Sequence, residues 1–355
     1  MFYRLQHRYL VRYDESVYTL GRFSPTMSKK LYSTNKWKNY LRHRQEDELR
    51  KRQRHRVKKR ALQAERIKRR KHEGPKFVTV TAPNVFSLVR NPEEVTAFLR
   101  QVKFLGEKSN LAFDLSGITA MTSDAVAALV ATIRGMPETR VRGNVPNDFA
   151  ATEMLMQSGF FDYARSVNPL PPCTRGRILQ KQSKKVEPTV ARDLIHIGTE
   201  ANYGAPRHHF STYRVLIESM SNTHNHAGKQ HAGTKTWWAT VYADKLTGRV
   251  CYTFLDVGVG IFRSIKIGAM RHLYRLAGVT SNTRILRDIL EGKVESSTGV
   301  AYRGKGIPAI YRLFQEGRIL SLVIIANDVY ANLTTGDFRV LPTEFAGTLL
   351  YWESQ

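Results

Sequence analysis

Cysteine is scarce: Cys173 and Cys251 are the only two in 355 residues. They supply neither a disulfide framework nor a zinc cluster, and they fit a reducing, cytoplasmic setting. No stretch approaches the ~18 consecutive apolar residues of a membrane-spanning helix, so a bilayer is not an expected partner. The first residues, MFYRLQHRYLVRY, alternate arginine with aromatic side chains and lack the apolar run of a secretory signal. Acidic residues are few, 30 Asp+Glu against 56 Lys+Arg, which leaves a formal net charge of +26. Glycine and proline are missing altogether from Lys36 to Lys71. No internal repeat is present.

What remains is enough for sizeable cores: 42% of the residues are hydrophobic, and the length suits two ordinary domains plus an extension. The charge is uneven. Residues 1–72 carry 23 of the basic residues but only 6 of the acidic ones, the mark of a basic arm joined to ordinary globular domains. Between residues 36 and 72 alone, 17 Lys+Arg face 4 Asp+Glu. That segment is rich in helix formers and predicts a long helix, ended by Glu73-Gly74-Pro75. Its apolar positions (Leu41, Leu49, Val57, Leu62, Ile67) are too sparse for a packing stripe. Residues 1–75 are therefore expected to form a basic helical arm. Through residues 1–72 it would contact RNA or DNA by neutralising phosphates, with Tyr3, Tyr9, Tyr13, Trp37 and Tyr40 available for stacking on bases. The plainer alternative is a solvated helix that keeps the chain soluble.

From residue 76 to 165 strand and helix signals alternate. KFVTVTA, LAFDLSGI and TRVRGNV predict strands; NPEEVTAFLRQVKFL, SDAVAALVATIRG and NDFAATEMLMQSGF predict helices, the second capped by Ser123 or Asp124. Such alternation predicts one sheet with helices packed on it. Residues 166–190 combine proline, glycine, serine and like charges and read as a linker. A second domain, 191–355, opens with helical sequence. TKTWWATVYA and RVCYTFLDV then form a hairpin about Asp244–Gly248, and ILSLVIIAN and AGTLLYW return as strands.

Four short elements of this second domain carry chemistry together. In ESMSNTHNHA, spacing of four puts Glu218, Asn222 and His226 on one helix face. An amide oxygen beside a carboxylate suits Mg²⁺, and the carboxylate could deprotonate a water. In DVGVG, Asp256 ends an apolar strand where it can accept a hydrogen bond from an exocyclic amine, while Gly258 and Gly260 let backbone approach a flat ring. Alone, this reads rather as a strand-ending turn. STGVAYRGKGIP leads Arg303, Gly304, Lys305 and Gly306 into a helix N-terminus, a site for phosphate. Gly347-Thr348 lies in an apolar strand and means little by itself. His208, His209, His224, His226 and His231 are dense enough to raise a metal site, but no HxxxH helix pair with an added carboxylate stands out.

In this order the four elements resemble the N, G1, G2 and G3 boxes of the GHKL superfamily, which includes the ATP-binding domains of sensor histidine kinases, anti-sigma-factor serine kinases, type II topoisomerases and mismatch-repair ATPases. The resemblance covers 191–355 and implies ATP and Mg²⁺ as cofactors. It makes Glu218 the catalytic base and Asn222 the Mg²⁺ ligand, sets Asp256 against the adenine amine with Thr348 behind it through water, and has Gly258, Gly260, Arg303, Gly304, Lys305 and Gly306 shape the pocket and its lid. Pro308 departs from the commoner GxGxGL form. FDLSGITAMTSDAVAALVATI and MLMQSGFFDYA resemble the central strand-loop-helix and closing helix of STAS domains over 76–165. There an ungapped comparison sets Asp124 at the phosphorylated serine of anti-sigma antagonists, with Ser123 beside it. The expected fold class is α/β: a STAS-like α/β domain followed by a GHKL (Bergerat-type) α/β sandwich, behind a basic helical arm. The expected activity is ATP hydrolysis coupled to a change in interdomain contact or oligomer state, so a protein partner of the STAS-like domain and a homodimer are further expected associations. The alternatives are a serine/threonine kinase acting on a STAS-type partner and a nucleotide-gated scaffold with negligible turnover.

Overall fold

The computed structural model describes residues 35–72, 75–164, 173–182, 186–226, 236–264, 281–293 and 306–355. The chain divides into two units, Met1–Gly74 and Pro75–Gln355. Of the first, the described part is one uninterrupted helix, α1 (Asn35–His72), 38 residues long and thus ~57 Å at 1.5 Å per residue. Leu49, Val57 and Leu62 are all more than half exposed on it. With no apolar face among its described side chains, α1 rests on the helix propensity of its Arg, Lys, Gln, Glu, Leu and Ala residues. Trp37 stacks on Tyr40 near its start, ring centroids 5.4 Å apart. Tyr3, Tyr9 and Tyr13 lie outside the described residues.

The second unit is a mixed α/β body built on a parallel and an antiparallel sheet. In chain order its elements are β1 (Phe77–Thr81), β2 (Val85–Phe86), α2 (Pro92–Gly106), β3 (Asn110–Asp114), β4 (Ala120–Met121), α3 (Ser123–Arg134), β5 (Val141–Gly143) and α4 (Phe149–Gln157). There follow β6 (Gly176–Gln182), α5 (Pro188–Tyr203), α6 (Phe210–His226), β7 (Thr236–Asp244), β8 (Arg249–Asp256), α7 (Ile261–Ser264), α8 (Asn282–Leu290), α9 (Gly306–Gln315), β9 (Leu320–Asn332) and β10 (Asp337–Ser354). β1, β3 and β5 form a three-stranded parallel sheet in the order β1-β3-β5; β2 and β4 pair briefly beside it. The larger sheet is antiparallel, in the order β6-β7-β8-β10-β9.

Both faces of the larger sheet are buried. Trp237, Ala239, Val241, Tyr252, Phe254, Ile324, Leu350 and Trp352 pack with Leu194, Val215, Leu216, Leu286, Ile289, Ile310 and Leu313 of α5, α6, α8 and α9. The alternate residues (Trp238, Leu255, Val323, Ile325, Leu349, Tyr351) join one core with Val95, Leu99, Val102, Ala125, Ala128 and Leu129 of α2 and α3. α2 and α3 thus lie between the two sheets, and α3 is buried over Ser123–Ala131. A helix apolar on every side is what such a middle layer requires, and its four alanines let it approach the strands closely. Polar clasps close the rim: the Tyr330 hydroxyl donates to Val89 O at 2.7 Å, and Arg339 Nε pairs with Glu93 at 2.9 Å.

Three local expectations are revised. Residues 166–190 contain β6, which pairs with β7 from Gly176↔Tyr242 to Gln182↔Thr236. An edge strand draws on the backbone ladder more than on side-chain burial, so it can stay polar and read as a linker; Ile178 packs into one core and Leu179 against the other. β9 and β10 are longer than their apolar stretches, because Asp337–Val340 pairs back on Val329–Asn332 as the far end of the same hairpin. Finally, neither Ser123 nor Asp124 caps α3. Thr122 is the N-cap, without a side-chain cap bond, and both predicted caps lie inside the first turn. Asp124, wholly buried, instead accepts the Leu88 N–H at 2.8 Å, and burial raises its pKa above the ordinary carboxylate value.

Because six large side chains of the sheet close against α2 and α3, and a buried residue of this size is worth about 1.5–3 kcal/mol, residues 173–355 expressed without 75–164 are expected to aggregate or bind a hydrophobic dye. Residues 75–355 should unfold in one cooperative transition. A monodisperse, cooperatively folding 173–355 fragment would show that the sheet does not need the second layer.

Candidate functional site

The last turns of α6 bring Thr223 against Asp256 at the end of β8 and carry Glu218 and Asn222 on the same helix. Glu218 and Asn222 are partly exposed on one face, and Thr223 is buried at 2% exposure. β8 ends in Asp256, and β10 lays Thr348 directly across from it in register. Gly347 has φ +128°, a left-handed value, and a Cβ there would run into the Asp256 carbonyl oxygen. Only glycine lets the two strands approach this closely.

Asp256 turns its carboxylate into a mostly dry setting. Burial pushes its pKa from 3.8 up to about 6, while hydrogen bonds from the Thr223 hydroxyl and the Gly258 backbone N–H pull the other way without compensating. The carboxylate is therefore ionised at neutral pH but keeps acceptor capacity that these two donors do not fill.

The DVGVG loop is fastened from beneath by a residue with no motif to announce it. Asn327 of β9 is 5% exposed and has φ +52°. Its Nδ2 donates to Val259 O at 3.0 Å, its Oδ1 accepts from Phe262 N–H at 3.3 Å, and Gly260 packs against its amide. A left-handed non-glycine residue inside a strand is uncommon and held only by surrounding contacts. β9 and β10 shift register on both sides of the Phe345↔Asn327 pair, so Asn327 sits at an irregularity of the ladder.

α9 comes to the same place from the far side. It starts at Gly306, where an added Cβ would lie 2.8 Å from Oδ1 of Asn222, so the free N–H groups of a helix N-terminus sit beside that amide. Pro308 falls in the first turn of α9, where its missing N–H costs nothing. Arg303, Gly304 and Lys305 lie outside the described residues. Thr223, Asp256, Gly258 and Thr348 thus meet at the end of β8, and Gly306 meets Asn222, the neighbour of Thr223, with Glu218 one helical turn away.

The described histidines near α6 are held by local contacts. His209 Nδ1 accepts the Thr212 N–H at 3.1 Å at the start of α6, and burial lowers its pKa, which favours the neutral ring this bond needs. His208 Nδ1 lies 3.5 Å from His196 Nε2. Both border a cavity of ≈ 260 Å³ shared with Arg192, Phe210 and Tyr213. Among the described residues no group of three or more His, Cys, Asp or Glu could hold a metal ion. The side chains of His224 and His226, and the whole of His231, lie outside the described residues. Thr223 and Asn327 were not legible in the sequence. Thr223 falls off the face that carries Glu218 and Asn222, and the only trace of Asn327 is a polar Asn-Asp pair interrupting SLVIIANDVYA.

No protein-family model matches this chain, and no curated protein matches it.

The raised pKa fixes a sign for stability. A carboxylate with a higher pKa folded than unfolded costs nothing below pH ~4 and lowers stability as pH rises through about 6. Asp256→Asn is therefore expected to raise the melting temperature of the ligand-free protein at pH 7, by up to about 3 kcal/mol in stability. The gain should fade toward pH 4. A melting temperature that falls at pH 7 would mean the carboxylate stabilises the fold.

Proposed function

We propose that residues 191–355 form a Mg²⁺-ATP-binding domain of the GHKL type, that 76–165 form a STAS-like layer covering its sheet, and that the protein hydrolyses ATP while its basic arm holds nucleic acid. The observation that carries the ATP reading is the mostly buried Asp256 carboxylate at the end of β8, with Thr348 across from it and Thr223 bonded to it, beside the contact between Asn222 and Gly306. These residues fit the nucleotide and its ion in kind. Asp256 offers an ionised acceptor at a dry strand end, which suits an exocyclic amine, and Thr348 stands next to it across the strands. The start of α9 offers backbone N–H groups to phosphate. Asn222 supplies a neutral oxygen ligand of the sort Mg²⁺ accepts when phosphates and water fill the rest of its shell; bound there, the ion would offset the charge of the phosphates. Glu218, on the same helix face, is placed to take a proton from water. Transfer to Ser123 within the chain is disfavoured, since Ser123 is 4% exposed and Asp124 wholly buried, which favours hydrolysis over an internal kinase reaction.

ATP affinity is expected to fall about tenfold per pH unit below pH 6, as Asp256 takes up a proton. Asp256→Asn should lose most binding at every pH, because its amide sets a donor against an amine. Calorimetry that finds unchanged affinity in the variant, or no loss on acidification, would remove Asp256 from the site.

Glu218→Ala should bind ATP as the parent does and release phosphate at least about a hundredfold more slowly, the scale of a lost general base. With γ-labelled ATP, free phosphate is expected from the parent. Stable label on the protein that Ser123→Ala removes would establish the kinase reading instead.

A further inference from the structure

The distribution of charge on α1 says more than its amount. From Arg50 to Arg60, eight of eleven residues are Lys or Arg, none is acidic, and every one is exposed. At ~100° per residue, Arg50, Arg54 and Lys58 occupy one side of the helix, while Arg52, Arg56 and Lys59 occupy the other, about 170° away. Val57 is the one aliphatic residue of the stretch and is 66% exposed. A membrane-surface helix needs an apolar face to sink into the bilayer, and none exists here. A flat acidic protein surface would meet one side and leave the other side's charge unused.

A partner that uses both sides must flank the helix with anions. The major groove of B-form DNA is ≈ 12 Å wide with a phosphate backbone along each edge, and it admits a helix of ~10–12 Å diameter. The major groove of an A-form RNA duplex is too deep and narrow, and a single strand has one backbone. We propose that Arg50–Arg60 of α1 lies in the major groove of duplex DNA and neutralises phosphates on both of its walls. This deepens the nucleic-acid reading of the arm and rests on it. No pairing of Asn, Gln or Arg with particular bases is needed, so binding is indifferent to sequence.

The test uses the full-length protein, a labelled DNA duplex of about two helical turns, and two triple variants, Arg50→Gln/Arg54→Gln/Lys58→Gln and Arg52→Gln/Arg56→Gln/Lys59→Gln. Glutamine keeps the helix propensity, and circular dichroism verifies that the helix remains. Each triple is expected to reduce the slope of log affinity against log salt by roughly 2–3 and to weaken binding to a similar extent. Duplex DNA should be preferred over duplex RNA, single-stranded DNA and phosphatidylserine vesicles. If one triple carries the whole loss and the other none, the helix lies on a surface and the groove geometry is wrong. The same holds if RNA duplex or vesicles bind as well as DNA. If deleting residues 1–72 also leaves binding to every nucleic acid unchanged, the nucleic-acid reading of the arm itself fails, while the ATP site stands or falls separately.

Discussion

An antiparallel sheet commonly keeps one face for the core and gives the other to water; the sheet of this protein gives neither face away. With Trp237 turned to one layer of helices and its neighbour Trp238 to the other, the sheet holds together two halves that the sequence presents as consecutive domains. The parallel three-stranded sheet depends on this as well. Its helix α2 packs against β1 and β3 on one side and β10 on the other, while α3 packs against α2, β7 and β8, so neither half offers the other an optional contact. A rearrangement at the end of β8 or in β10 is therefore felt by α2 and α3 through packed side chains, without any special relay.

The candidate site occupies the place where the sheet is least regular. Asp256 sits where β8 ends, Gly347 adopts a conformation closed to other residues, and Asn327 interrupts β9 in a left-handed one. Each departure has a local energetic cost, and each is held by packing that the double-sided sheet supplies. Asp256 is the clearest case: the desolvation that makes its carboxylate a useful acceptor also makes it a destabilising one. Irregularity of this kind, gathered where four chain segments meet, is what a site set against its own fold's stability looks like.

The helices and most strands were legible in the sequence because their periods are local. NPEEVTAFLRQVKFL and SDAVAALVATIRG fall where α2 and α3 form, and the Asp244–Gly248 turn where the β7–β8 hairpin bends. Asp256 and Thr348, which belong to separate motif elements, lie opposite each other between β8 and β10. Three features escaped for physical reasons. β6 is an edge strand whose side chains need not be apolar. Asn327 matters through a backbone angle that no spacing encodes. The mutual burial of the two halves left a trace in the largely apolar runs WWATVYA and SLVIIA, which fit strands covered on both sides rather than one.

The strand order has a consequence for how the chain can be made. β10 lies between β8 and β9, yet residues 337–354 are synthesised after every other strand of the sheet. Until they emerge, β8 keeps an open edge, β9 has no neighbour, and α2, which packs on β10, has only part of its seat. Without β10, β8 and β9 are unpaired edges that are greasy on both sides, the kind of segment that pairs with the wrong neighbour. The strand carrying Gly347 and Thr348 both joins these two neighbours and completes the candidate site.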